Sequence, residues 1–214
     1  MNRQLPDFGT PWIASRPVRG YARDKPLAEA MLRRLCLGAE LVAVFWDGFP
    51  GITKLMIDDN DFVRAKKLPQ YAAYVKHRPA YESLLMIEYR WAVLANAPEP
   101  SAEQEQAIAE ALPEPATDLQ LAELTTLHGD PIVEVRLGAS VGHLIVVFDS
   151  GRCLFVHGDA GPYEAWEIRV MSPDGLNDAE NKWFLVNTPG GDVCMWTPDD
   201  FDPNFDAEWR SPQE

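Results

Sequence analysis

Apolar positions change their period along the chain, and the changes divide it. Leu27, Met31 and Leu35 recur at helical spacing up to Gly38, with Asp24 placed to cap and Pro26 suited to a first turn, so a helix is expected from residue 26. Leu41–Trp46 and Ile52–Ile57 are β-prone runs bracketing Asp47-Gly-Phe-Pro-Gly51, which predicts a hairpin with a five-residue loop, although either run also fits a helix. Residues 61–97 read as two or three helices interrupted at Pro69 and Pro79. The last of these, Ala80 to Ala97, is apolar on almost every face and is expected to be buried until Pro98-Glu-Pro100 stops it. Ser101-Ala-Glu-Gln104 and Thr117-Asp-Leu-Gln120 fit the capping-box pattern and predict short helices over 102–111 and 118–127. Beyond Asp130-Pro131 the period falls to two. Ile132, Glu134 and Arg136 alternate with Val133, Val135 and Leu137, and further β-prone runs follow at His143–Phe148, Cys153–His157, Ala165–Val170, Trp183–Val186 and Asp192–Trp196. Gly-rich and Pro-rich turns separate them, so six strands in an antiparallel meander are expected.

The expected fold is therefore α+β, a helical N-terminal half packed on a C-terminal antiparallel sheet meander. Residues 1–25 lack periodicity and contain Pro6, Pro11 and Pro17, which suggests an extended arm with Phe8, Trp12 and Ile13 as anchors. Residues 26–214 are read as one α+β domain. Within it, 26–127 is mainly helical with the hairpin at 41–57, 128–197 forms the sheet, and 198–214 is an acidic aromatic tail.

Composition narrows the function. A chain of 214 residues that is 46% hydrophobic and 24% charged can bury a core without metals or disulfides. Its 19 Lys and Arg stand against 33 Asp and Glu, a formal net charge of -14, which argues against nucleic acid or an anionic membrane as partner. The signs separate along the chain: residues 1–97 hold 14 basic and 10 acidic side chains, residues 98–214 hold 5 and 23. Cys36, Cys153 and Cys194 are odd in number and widely spaced, so neither a disulfide framework nor a zinc site is expected, and no cofactor is implied. The first residues are too polar for a signal peptide and no run approaches a membrane span, which leads to an expected cytoplasmic location.

Each class of active site has a sequence pattern. His77, His128, His143 and His157 form no metal-binding pair at helical spacing; G-x-S-x-G and P-loop signatures are absent. His143 and His157 lie in adjacent expected strands and could approach one another. Cys153 and Cys194 have apolar neighbours, which reads as inert thiols. No catalytic residue is assigned, and the chain is read as a non-enzyme. The tail interleaves Asp199, Asp200, Asp202, Asp206 and Glu208 with Phe201, Phe205 and Trp209, joining carboxylates that accept from arginine to aromatics that bury area. It alternates like a calcium loop, but Phe205 replaces the required glycine and Ser211 the closing glutamate, so no metal is expected.

Leu144-Ile-Val-Val-Phe-Asp-Ser-Gly151, Tyr163-Glu-Ala-Trp166 and Pro189-Gly-Gly191 followed by Trp196 make the stretch from Leu121 to Trp196 similar to a family of small, largely uncharacterised bacterial domains. In that stretch Glu164 and Trp166 are expected on one face of a strand, with Trp196 near Trp166. More broadly the chain resembles the immunity proteins that bacteria make beside interbacterial toxins of type VI secretion or contact-dependent systems. That resemblance implies binding and neutralising a cognate toxin effector, many of which are basic nucleases, by occluding its active site. The partner-binding residues would be Asp199, Asp200, Phe201, Asp202, Phe205, Asp206, Glu208, Trp209, Glu164 and Trp166. The alternative is an enzyme or small-ligand-binding protein with a pocket between sheet and helices, lined by Trp46, Trp91 or Trp166 near His143 and His157.

Overall fold

The computed structural model describes residues 20–47, 51–58, 83–113, 118–171, 183–199 and 201–204. Among them are three helices and ten strands. In chain order these are α1 (Tyr21–Cys36), β1 (Glu40–Asp47), β2 (Ile52–Asp58), β3 (Ser83–Ile87), β4 (Trp91–Leu94), α2 (Ala102–Ala111), α3 (Asp118–Thr125), β5 (Ile132–Leu137), β6 (Leu144–Phe148), β7 (Cys153–Val156), β8 (Trp166–Val170), β9 (Phe184–Asn187) and β10 (Val193–Trp196). The fold is mixed α and β, with all strands in two antiparallel sheets. One has the order β1-β2-β3-β8-β9-β10 and the other β4-β7-β6-β5.

The six C-terminal strands form where the alternation predicts them, yet they do not make one meander. β5, β6 and β7 run together in the smaller sheet; the chain then crosses and β8, β9 and β10 run together in the larger one. Each group is completed by strands from the first half. β3 pairs with β8, Leu85 opposite Ile168, and β4 pairs with β7, Val93 opposite Leu154. The helix expected over Ala80–Ala97 is thus replaced, from Ser83 onward, by these two strands. The physical reason is burial on both faces: a run apolar all round fits an enclosed strand as well as a buried helix, and its period cannot choose. The remaining helices expected over 61–79 fall outside the described residues, as does the arm over 1–19.

Leu55, Leu85, Ile168 and Leu185 line the inner face of the larger sheet and meet Leu144, Val146, Leu154 and Val156 of the smaller one in a common core. The outer face of the smaller sheet is closed by α2, where Ala109 and Leu112 cover Ile145, Val147, Cys153 and Phe155. That double burial explains why every residue of β6 and β7 is buried. At the sides, α1 packs on the edge strands β5 and β10, and α3 on the edge strands β4 and β1. Met31, Leu32 and Leu35 of α1 enter the core. This helix begins one turn before the expected start, with Pro26 inside it, and Asp192 at the mouth of β10 accepts the Tyr21 N–H at 2.9 Å. A carboxylate at a helix N-terminus satisfies a donor that the helix itself leaves open. Tyr21–Lys25 accordingly belong to α1, not to an arm.

In β5 a bulge falls between Ile132 and Glu134 and shifts the parity, so Ile132, Val135 and Leu137 face inward together. Outside the strand, Ser101 caps α2 by accepting the Gln104 N–H, as its sequence predicts. Gln120 has a different use. It is buried and donates to the Trp91 carbonyl at 2.9 Å, tying α3 to β4.

The β5–β6 loop, Gly138–His143, is the point where these parts meet. Glu105 of α2 is 1% exposed and accepts from Arg136 Nη1 and from the Ala139 N–H, both at 2.6 Å. From α1, Tyr21 Oη and Lys25 Nζ donate to the Gly138 carbonyl, and Glu29 accepts the Leu137 N–H. Removing one partner of a buried ion pair strands the other charge. Glu105→Ala is expected to lower unfolding free energy by about 3 kcal/mol in equilibrium urea denaturation. Glu134→Ala, whose carboxylate meets the same arginine from an exposed position, should cost less than about 1 kcal/mol.

Candidate interaction surface

The chain passes between the sheets twice, and the two passages lie side by side. Residues 88–90 join β3 to β4, and residues 157–165 join β7 to β8. The Glu88 N–H donates to the Ala165 carbonyl and the His157 N–H to the Arg90 carbonyl, each at 2.9 Å. Between these bonds the second passage folds into its own tight turn: Asp159 Oδ1 accepts the Gly161 N–H, and Ala160 bridges to Tyr163. A rigid corner results, and on it stand exposed groups.

Tyr163 is 73% exposed and Tyr89 36%. Glu88 and Glu164 are also exposed there. Partial desolvation of its carboxyl by the surrounding chain raises the Glu88 pKa, and the neighbouring Glu164 carboxylate raises it further. Glu167 on β8, buried but beside Arg169, is raised first by burial and then by Glu88 and Glu164, with Arg169 opposing. Three carboxylates therefore repel one another at a corner bearing two solvent-facing tyrosines, and a cationic group from outside would relieve that repulsion.

Behind the corner sits the histidine pair that the strand order suggested. The rings of His143 and His157 meet edge to face with centroids 5.2 Å apart, and Tyr89 packs edge-on against His157 at 5.3 Å. His143 is buried against Phe155, and its Nδ1 accepts the Gly158 N–H. Burial pushes its pKa down to about 4, helped by His157 and opposed by Glu105 and Asp159. His157 is lowered too, chiefly by burial. Among the described residues no group of three or more His, Cys, Asp or Glu is arranged to hold a metal.

Several expected site residues are placed differently. Trp166 is fully buried, and its indole N–H donates to the Gly142 carbonyl at 2.8 Å, so it is a core residue that no partner can reach. Glu164 does not share a strand face with it, because β8 begins at Trp166 and Glu164 lies in the preceding exposed passage. Trp196 stacks on Phe184 across the larger sheet, on the face opposite Trp166, because its row runs through Arg169 while Trp166 points inward with Ile168. Trp91 is likewise buried and donates to Thr53 Oγ1, whereas Trp46 is exposed at the end of β1.

In the tail, Phe201 is partly buried, packing edge-on against Trp183 at 5.3 Å at the margin of the core. Asp199 and Asp202 are exposed, and Asp202 accepts the Asn204 N–H in a short turn. Asp200, Phe205, Asp206, Glu208 and Trp209 lie outside the described residues. Among the described residues no hydrogen bond or ion pair joins the tail to the corner.

The thiols of Cys36 and Cys153 are buried, and burial pushes Cys153 up to about 12. Cys194 is half-buried and also raised, again mainly by burial. No helix among the described residues is long and apolar enough to cross a membrane. Neither family models, nor curated proteins, nor solved structures match this chain.

If the corner serves recognition and not folding, its exposed side chains should be dispensable for stability. Tyr163→Ala and Glu164→Lys are expected to change unfolding free energy by less than about 0.5 kcal/mol. Trp166→Phe, which leaves the Gly142 carbonyl without its indole donor, should cost about 2 kcal/mol or more in the same denaturation experiment.

Proposed function

We propose that this chain is a protein-binding module of the immunity type, which holds a basic toxin effector, a nuclease domain, and occludes its active site. The observation that carries the reading is the corner itself: Tyr163 and Tyr89 exposed beside Glu88 and Glu164 on backbone that is hydrogen-bonded on both sides. Pre-ordered aromatic anchors lose little entropy on binding, and carboxylates around them select a basic surface. The exposed Asp199 and Asp202 belong to the same acidic half of the chain and would act at longer range, speeding encounter more than holding the complex.

A test uses the tagged chain and lysate of the organism that encodes it at about 50 mM salt, where surface charge is weakly screened. Stoichiometric recovery of a basic protein with nuclease activity, which the tagged chain inhibits, supports the reading. Tyr163→Ala combined with Glu164→Lys should weaken that complex by about 30-fold or more, equivalent to about 2 kcal/mol. Charge reversal at Asp199 and Asp202 should slow association and leave the dissociation rate nearly unchanged. Undiminished capture by the double variant at the corner contradicts the assignment of the surface.

A further inference from the structure

Two consecutive amides at the start of the β7–β8 passage end on imidazole nitrogens. The Gly158 N–H donates to His143 Nδ1 at 3.0 Å, and the Asp159 N–H donates to His157 Nδ1 at 2.9 Å. A ring nitrogen that accepts from an N–H carries no proton of its own, so these bonds assign both rings to the neutral Nε2–H tautomer. Protonation would turn each acceptor into a donor pointed at a donor. The backbone has little room to adjust: a Cβ on Gly158 would lie 2.1 Å from the Gly142 carbonyl carbon, and the Gly158 carbonyl is held by Asn187 Nδ2 at 2.9 Å.

We infer that residues 157–159 form an acid-sensitive latch, in which protonating His143 and His157 breaks two adjacent hydrogen bonds from backbone amides and releases the passage that presents Tyr163 and Glu164. The inference deepens the binding reading by giving the same surface a means of regulation, and it rests on that reading only for its consequence. Glu105 of α2, paired with Arg136 of β5, faces His143, as do Phe155 and His157 of the β7 segment and Asp159 of the turn. His157 is faced by Asp159, by Arg90 and by the ring of Tyr89 from the β3–β4 passage. On the far side of the loop, Tyr21 and Lys25 of α1 reach the Gly138 carbonyl.

Glu105 and Asp159 favour an imidazolium at position 143, whereas burial and the second ring oppose it, and burial dominates. A histidine lowered in the native state binds fewer protons there than in the unfolded chain. Its contribution is therefore complete above the ordinary histidine value and is lost as pH falls from about 6.5 toward about 4. The latch is closed at neutral pH and opens in acid.

A pH titration of the isotope-labelled full chain by NMR reads this directly. At pH 7.5 the ring nitrogen shifts should report Nδ1 unprotonated in both histidines. On acidification the Gly158 amide should shift with the midpoint of the His143 ring, and the Asp159 amide with that of His157. His143→Asn keeps an acceptor oxygen near the position of Nδ1 but does not titrate, so it should abolish the Gly158 response and preserve that of Asp159. Rings found as Nδ1–H at pH 7.5, or amides that stay still while the rings titrate, overturn the latch, and the wild-type titration alone decides this if the variant does not fold. No partner is present in the experiment. Loss of the latch therefore leaves the binding surface standing, and loss of partner binding at neutral pH leaves the latch standing.

Discussion

Gly142 and Gly158 press backbone against backbone, a contact that any side chain on Gly158 would block. Around that contact three connections are tied into one knot. Gly142 donates to the Gly191 carbonyl in the β9–β10 turn, and its own carbonyl receives the indole N–H of Trp166. Asn187, fully buried at the end of β9, donates to the Gly158 and Asp192 carbonyls. Gly191 has φ +80°, and a Cβ there would meet the Val141 side chain at 2.4 Å, so this turn also depends on glycine. Each such hydrogen bond contributes only about 1 kcal/mol net, but leaving a buried partner unsatisfied costs the whole desolvation of that group. The knot is therefore expensive to loosen in part, and it fixes the corner where both passages between the sheets emerge.

The charged side chains reinforce the same loop from two directions. Glu105 reaches it from α2 and accepts the Ala139 N–H within it, and Glu29 of α1 accepts the Leu137 N–H at the end of β5, where the loop begins. Tyr21 belongs to this shell as well; its hydroxyl is pushed up from the usual tyrosine range by burial and by Glu29 and Glu105, and it stays a donor to the Gly138 carbonyl. The helices thus do more than cover apolar surface. They hold the loop that holds the sheets together.

Much of this was legible in the sequence, and the misses have physical causes. The C-terminal strands follow from alternation and turn residues, and Pro189-Gly-Gly191 does form a tight turn between β9 and β10. Alternation names strands but not their neighbours, so the division of one expected meander between two sheets could not be read. The run from Ala80 to Ala97 hid two strands because both of their faces are covered. Its polar interruption, Glu88-Tyr89-Arg90, was the available signal: charges at the centre of an apolar run mark a crossing as readily as they mark one face of a helix. Missing that crossing also hid Tyr89 and Glu88 as neighbours of Tyr163 and Glu164. The approach of His143 and His157 was readable from adjacent strands, whereas the burial of Trp166 was not, since a tryptophan that anchors a partner and one that anchors a core look alike in sequence.

The knot belongs to the cooperative core and is not a local embellishment of it. Native-state amide hydrogen exchange in low urea measures this most directly, because amides that exchange only through global unfolding share one free energy and one denaturant slope. The amides of Ala139, Gly142 and Gly158 are predicted to share those values with the amides of β6 and β7. Exchange of these three through low-energy local openings, with the strands still protected, would contradict the account.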